Sequence, residues 1–261
     1  MLSLNVLSTV NSSLLIWSEH TKVLIDGLHT RSLDFSGMSP RIRDSLDRGI
    51  PPFNDIDYLA FTHGHPDHFS LDETEHYLSG HNVKALVLPP GSGEPDRTDD
   101  ILVPLFASSC PPIRYIQPCT APWEECSYQL GDFKVTYVHT PHIAAPSYPE
   151  HNYSILLEHQ DMTVFIGGDL AFPAGKQLEY LQDKHIDYCF MIPFYIMHRT
   201  GRKVLEALDS RMTYIYHIPY SRDDNQVFLN HVKRSAVSYG SQYPPIRLLM
   251  PDSPAFSVSV G

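Results

Sequence analysis

The sequence predicts an α/β protein with helix-covered sheets and a recurring hairpin pattern. Three observations carry that prediction. Short β-branched and aromatic runs recur along the chain, helical stretches enter later in each half, and one hairpin pattern occurs twice. The runs that read as strands are 4–10, 13–18, 22–25, 56–62, 84–88 and 134–139, then 153–158, 163–166, 187–192, 213–216 and 246–250. Helices are expected at 41–48, 71–78, 175–183, 202–211 and 225–239. In the last of these, Val227, Phe228, His231, Val232 and Ala236 fall near one face of a 3.6-residue period. The early strands read as hairpins, which argues against an all-parallel sheet. In the repeated pattern, Ser13-Leu14-Leu15-Ile16-Trp17 leads through a turn to Val23-Leu24-Ile25-Asp26-Gly27. Ser154-Ile155-Leu156-Leu157-Glu158 leads the same way to Val164-Phe165-Ile166-Gly167-Gly168, with the same offset from Ser to final Gly. Either the likeness is a chance pairing of two hairpins or it marks two half-domains with a site between them.

Composition narrows the function classes. The 261 residues are 42% hydrophobic, too apolar for a disordered chain, and no apolar run approaches the roughly 18 residues of a membrane span. The first basic residue is Lys22, so the apolar start lacks the charged region of a secretory signal. Lys plus Arg is 19 against 30 for Asp plus Glu, which argues against a broad nucleic-acid surface. Pro-Gly punctuation is scattered, with its densest cluster at Pro89-Pro90-Gly91-Ser92-Gly93 read as a loop, so one domain over 1–261 is expected. Of the four cysteines, Cys110, Cys119, Cys126 and Cys189, none forms a C-x-x-C pair. Reduced thiols in a cytoplasmic protein are the favoured reading, with a disulfide among the first three as the alternative. Fifteen histidines are the outlying feature, because imidazole is the commonest metal ligand and an acid or base near neutral pH.

One run of six residues, three of them histidines, carries most of the chemistry. His63-Gly64-His65-Pro66-Asp67-His68 directly follows the apolar run Tyr58-Leu59-Ala60-Phe61. In extended chain His63 and His65 face the same way and can reach one ion. Asp67 and His68 lie past a proline, where the chain turns, and can address a second. Imidazole and carboxylate together are donors for zinc, iron and manganese. The bland alternative is a His-rich surface loop. Three further strands end in donor residues: 135–138 runs into His139-Thr140-Pro141-His142, 164–168 into Asp169, and 213–216 into His217. Each is weak alone, since a strand-end Asp is usually a cap and a lone His is usually structural. Four strand ends carrying His or Asp in one chain shift the weight toward a ligand site, since strand-end loops aim side chains outward.

The run His63–His68 matches the H-x-H-x-D-H signature of the metallo-β-lactamase superfamily, and the later His, Gly-Asp and final His come in that family's order. The chain therefore resembles that superfamily over essentially its whole length, including Asp26-Gly27 and the hairpin echo. The resemblance implies an αββα sandwich of two similar halves with a two-metal centre at one edge. His63, His65 and His142 would hold the first ion, Asp67, His68 and His217 the second, and Asp169 would bridge them. His139 competes with His142, because the family often writes H-T-P-G-H here and this chain lacks the Gly. Asp67 would also orient the attacking water, making it the one catalytic residue assigned. Two divalent ions are implied, zinc by default, with manganese and iron accepted by the same donors.

The activity that the resemblance implies is that of a hydrolase acting on a small ester, lactone or phosphodiester, by analogy of fold. The diiron reductases of the superfamily place an acid where His65 stands, and the best-known β-lactamases lack a His at the position of His68. The chain looks most like the compact branch that includes ascorbate-6-phosphate lactonase-like proteins. The competing class is a non-catalytic relative that binds metal and ligand. His29, His151, His198, Tyr195 and Arg199 are weaker candidates, read respectively as a solvated loop residue, a polar loop residue, a helix-start residue and two side chains not assigned to substrate. A small-molecule substrate is the expected partner, without nucleic acid or membrane, and the aromatic content leaves a homo-oligomer open.

Overall fold

Alternation along the first strands sends apolar side chains to both faces of one sheet. The strands are β1 (Leu2–Val10), β2 (Ser13–Trp17), β3 (Lys22–Ile25), β4 (Tyr58–Ala60) and β5 (Ala85–Val87). Val6, Leu14, Ile16, Val23, Ile25, Ala60 and Val87 enter one core, and Leu7, Leu15, Leu24, Leu59 and Leu86 enter another. A sheet that is apolar on both faces must be covered on both. Two helices close the outer face, α1 (Pro40–Asp47) through Ile42 and Leu46, and α2 (Leu71–Gly80) through Tyr77 and Leu78. Both begin at a serine, Ser39 accepting from the Ile42 N–H and Ser70 from the Glu73 N–H, and α1 has Pro40 in its first turn.

This computed structural model describes residues 2–31, 35–88, 113–118, 121–143, 151–223, 226–240, 245–251 and 253–260. Within them β6 (Arg114–Ile116) and β14 (Phe256–Val260) complete the first sheet, in the order β14-β1-β2-β3-β4-β5-β6. The second sheet holds β7 (Glu125–Leu130), β8 (Phe133–Pro141), β9 (His151–His159), β10 (Met162–Ile166), β11 (Tyr188–Met191), β12 (Met212–Ile215) and β13 (Ile246–Leu248). Its order is β13-β12-β11-β10-β9-β8-β7. The inner core joins side chains of both sheets, such as Leu4 and Val258 with Tyr137, Ile155 and Phe165. Helices α3 (Lys176–Gln182), α4 (Phe194–Met197), α5 (Arg199–Leu208) and α6 (Gln226–Tyr239) belong to the second half, adding Leu181, Val204, Leu205, Leu229 and Val232 to the buried set.

The repeated hairpin occupies the same place in each sheet, with one register. Leu14 opposes Ile25 and Leu15 opposes Leu24 in β2–β3; Ile155 opposes Ile166 and Leu156 opposes Phe165 in β9–β10. After each hairpin the pairing turns parallel, β3 to β4 and β10 to β11. Strands β4, β10 and β12 therefore end in loops of the kind where ligands gather in α/β proteins. Strand β8, two antiparallel steps from β10, runs the same way and delivers its end to the same edge.

Several expectations need correction. Strands β6, β7 and β14 and the single-turn α4 were not read from the sequence. Strand β7 explains why: Glu125, Ser127 and Gln129 form its exposed side, so an edge strand reads as polar chain. In α6 the buried residues are Leu229, Val232 and Ser235, while Val227 is 82% exposed and His231 is exposed, so the apolar face is rotated from the expected one. Cys126 is disulfide-bonded and Cys189 is buried and free. The disulfide withdraws the thiol argument for a reducing compartment, because pairing depends on proximity that spacing does not reveal. Cys110, Cys119 and the loop expected at 89–93 lie outside the described residues. Among the described residues no helix is long and apolar enough to cross a membrane.

Candidate metal centre

Each donor residue sits just past a strand that a buried neighbour holds in place. After β4, the Thr62 N–H donates to Asp26 Oδ1 at 2.8 Å and the Thr62 hydroxyl to Asp26 Oδ2 at 2.7 Å. Asp26 is fully buried, with φ of 50°, an uncommon conformation for a non-glycine residue. The chain then turns, as the proline implied, with the His68 and Phe69 N–H groups both donating to the His65 carbonyl at 2.9 Å. Ser12 Oγ donates to the Asp67 carbonyl and the His217 N–H to the Asn11 carbonyl, so the β1–β2 turn braces donors carried by both sheets. His217 also has a positive φ, 56°. Backbone strain of this kind collects at functional sites. After β10, Asn152 Oδ1 accepts from the Asp169 N–H at 2.8 Å, and Asn152 Nδ2 donates to the Gly167 carbonyl. Gly168, at φ 57°, must stay glycine: a Cβ there would stand 2.4 Å from Asn152 Oδ1 and 3.0 Å from Thr62 Cβ.

Two groups of donors result, each with its ligand atoms within 4.8 Å of one another: His63, His65, His142 and Asp169, and Asp67, His68 and His217. In the first, the three imidazole centroids are 4.6 to 4.9 Å apart and edge-on to one another. His63 Nε2 lies 2.9 Å from His65 Nδ1. In the second, His68 Nε2 lies 2.9 Å from His217 Nε2, which is 3.4 Å from Asp67 Oδ2. Asp169 faces both. Its Oδ2 is 3.3 Å from His142 Nε2, and its Oδ1 is 3.6 Å from His68 Nε2 and 3.8 Å from His217 Nε2. That Oδ1 is buried without a hydrogen-bond partner. Nitrogens converging on nitrogens, with a carboxylate oxygen left over, fit cations held between them.

The charge states of His63, His65, Asp67 and Asp169 agree with ligation. Burial first, then the neighbouring His68, holds His63 well below its ordinary value; burial, His142 and His68 push His65 down to about 4. Both are neutral at pH 7, as ligands must be. Burial works against ionised Asp67 and Asp169, but His217 and His68 outweigh it at Asp67, and His217, His142 and His68 at Asp169. Both carboxyls lie below the usual range. His68 differs: burial disfavours its proton, yet Asp26, Asp169 and Asp67 raise it to about 9. Its Nδ1 donates to Asp26 Oδ2 at 2.9 Å, which turns Nε2 toward the second cluster.

No protein-family model matches the chain, and no curated protein matches its sequence. Solved structures do match. YhfI of Bacillus subtilis, a metallo-β-lactamase fold protein, aligns with a TM-score of 0.60 at 12% identity, covering 98% of this chain and 100% of that one. The chain has the metallo-β-lactamase fold. Two further structures share it. Igni18, a metallo hydrolase of the archaeon Ignicoccus hospitalis, aligns with a TM-score of 0.60 at 10% identity, covering 99% and 100%. CmlA, a diiron β-hydroxylase of Streptomyces venezuelae, aligns with a TM-score of 0.65 at 15% identity, covering 99% of this chain but 54% of that one. At these identities the likeness is one of fold. On this metallo-β-lactamase fold the two donor groups occupy the edge where β4, β8, β10 and β12 end.

The other expected residues fall elsewhere. His139 is in neither donor group: its Nε2 meets His151 Nδ1 at 2.7 Å and its ring stacks on Tyr153 at 4.9 Å. Changing His142 to Ala is expected to remove about one bound ion, while His139→Ala keeps metal content near wild type; elemental analysis of both variants distinguishes them. Tyr195 is fully buried and donates to the Leu170 and Ala171 carbonyls, a structural role. His198 is exposed before α5, and Arg199 is exposed. His29 is not a solvated loop residue: it is 3% exposed, and burial pushes it down to about 4. The braces Asp26 and Asn152 were missed as functional residues. A strand ending in Asp was visible for Asp26, but nothing local marked its partners.

These charge states predict a stability maximum near pH 6.5 in metal-free protein. His29 and His65 are neutral when folded, so stability falls as pH drops from 6.5 toward 4, where only the unfolded chain takes up their protons. His68 keeps its proton to about pH 9 when folded, so stability also falls as pH rises from 6.5 through 9. Thermal unfolding across this range tests it. A flat profile on both sides contradicts the assignment.

Proposed function

We propose that this chain is a metal-dependent hydrolase of small ester, lactone or phosphodiester substrates, folded as one domain over 1–261. The observation that carries the reading is Asp169, whose two oxygens face two separate donor groups. His63, His65 and His142 would hold one ion, Asp67, His68 and His217 the other, and Asp169 is placed to serve both. Two divalent ions in such a site supply Lewis acidity and a hydroxide nucleophile at neutral pH. Zinc is the default, and manganese and iron suit the same donors.

The chain's own residues do the rest. Asp67, ionised beside His217 and His68, accepts a hydrogen bond from the attacking water and orients it. Asp26 fixes the tautomer and direction of His68. Asn152 holds the Asp169 backbone, so that the carboxylate does not turn away from either group. A net charge of -11 favours a small-molecule substrate over nucleic acid. The resemblance to the compact lactonase-like branch belongs to the same reading. Its test is turnover of simple esters, lactones and phosphodiesters by zinc- and manganese-loaded protein, with His63→Ala as the control. Turnover lost in the variant supports the hydrolase. Two bound ions without turnover of any of the three classes favour a metal- and ligand-binding protein instead.

A further inference from the structure

We propose that the substrate is an uncharged carboxylic ester or lactone bearing one apolar group of about single-ring size, in preference to a phosphodiester. This rests on the hydrolase reading and narrows it. The observation is a cavity of about 220 Å³ directly over the second donor group. Asp67, Asp169 and His217 form its polar end, and Phe35, Phe194 and Phe228 are its aromatic walls, with Ile192 beside them.

The walls are held in place. Phe35 sits edge-on to His217, with centroids 4.6 Å apart, and Phe194 lies 5.9 Å from Phe228. The loop carrying Phe35 is tied across the site: Ser36 donates to Asp223, which also accepts the Tyr220 N–H at 2.8 Å. Phe194 and Phe228 are only half-buried, so they present ring surface to whatever enters. An apolar cavity of about 150 Å³ takes benzene. This one therefore takes a single ring or a compact alkyl group, with a few atoms left for the reacting carbonyl.

The lining also says what fits less well. Among the described residues its charged side chains are two acids, and it holds no Lys or Arg. Phosphate sites recruit arginine, lysine or helix N-termini. In the hydrolase reading the two acids are engaged as ligands, so a phosphodiester's charge would be met by the ions alone, and the rest of the lining would set three phenylalanines and no Lys or Arg against it. An uncharged ester has no such cost. In its hydrolysis, water oxygen bonds to the acyl carbon and the acyl carbon–oxygen bond breaks. The electron pair leaves with the alcohol oxygen, which takes a proton; the products are an acid and an alcohol. The acid then ionises, and the apolar walls offer the carboxylate no Lys or Arg to hold it.

Two methyl esters with the same leaving group read the cavity through kcat/KM. Zinc-loaded protein is expected to prefer methyl phenylacetate to methyl acetate by roughly tenfold or more, as burial of a ring implies. Phe228→Leu and Phe194→Leu are expected to shrink that ratio. Greater kcat/KM for bis(4-nitrophenyl) phosphate than for methyl phenylacetate overturns the substrate class while leaving the hydrolase standing. Absence of turnover with all three, at two bound zinc ions, overturns the hydrolase and the ester with it. Calorimetry then reads the cavity without chemistry. Phenylacetamide binding roughly tenfold more tightly than acetamide supports an apolar ligand of this size. Equal binding of the two amides overturns the aromatic seat.

Discussion

Asp169→Ala is expected to lower bound metal from close to two ions per chain to one or fewer, and to abolish turnover. The carboxylate lies between the two donor groups, 3.3 Å from His142 and 3.6 and 3.8 Å from His68 and His217. Two divalent cations in a shared site stand about 3.5–4 Å apart and repel strongly unless an anion lies between them. Asp67 remains in the variant, but it belongs to one group only. The first group keeps its three imidazoles and can retain an ion; the second keeps one carboxylate and two imidazoles and is left without a bridge. Loss of a group shared by both ions is expected to cost about a thousandfold or more in kcat, beyond the 10- to 100-fold typical of an outer residue. Elemental analysis and ester hydrolysis check it together. An unchanged two-metal stoichiometry contradicts the bridging role.

The second large effect concerns stability. Asp26→Ala is expected to destabilise the protein by about 3–5 kcal/mol, because it breaks a buried charge pair from one side. Three donors lose their acceptor at once: the Thr62 N–H, the Thr62 hydroxyl and His68 Nδ1. All three lie in fully buried surroundings. A buried donor without a partner costs its whole desolvation penalty. Asp26→Asn retains an acceptor but not the charge, so its expected loss is smaller, and the His68 proton affinity falls with it. Denaturant unfolding of metal-free protein measures both. A change of less than about 1 kcal/mol in Asp26→Ala contradicts the reading, since ordinary surface losses are of that size.

The same residues show what sequence can and cannot disclose. His63–His68 was legible because its donors are spaced locally, by strand alternation and one proline turn. Asp169 and His217 were legible as polar ends of apolar strands. The hairpin echo was legible because identical register leaves an identical pattern, Leu14 against Ile25 and Ile155 against Ile166. Asp26 was legible only as part of a family likeness, because its partners Thr62 and His68 are distant in sequence and meet it only after β3 and β4 pair. Edge strand β7 was lost because half its residues face solvent. Phe35 gave no local sign of the cavity it walls, since the loop that carries it is positioned by Asp223 from the far end of the chain. His139 and His142 could not be separated by spacing. The geometry that separates them is a long-range one: the Asp169 loop lies against His142, through the His142–Leu170 bridge, while His151 and Tyr153 take His139.

Metal content per chain tests the central claim most directly. Protein purified without chelator, or reconstituted with zinc and desalted, is expected to carry close to two ions by elemental analysis, with His63→Ala and Asp169→Ala each carrying fewer. One ion or none after reconstitution, or two ions in both variants, contradicts a dinuclear centre built on these residues.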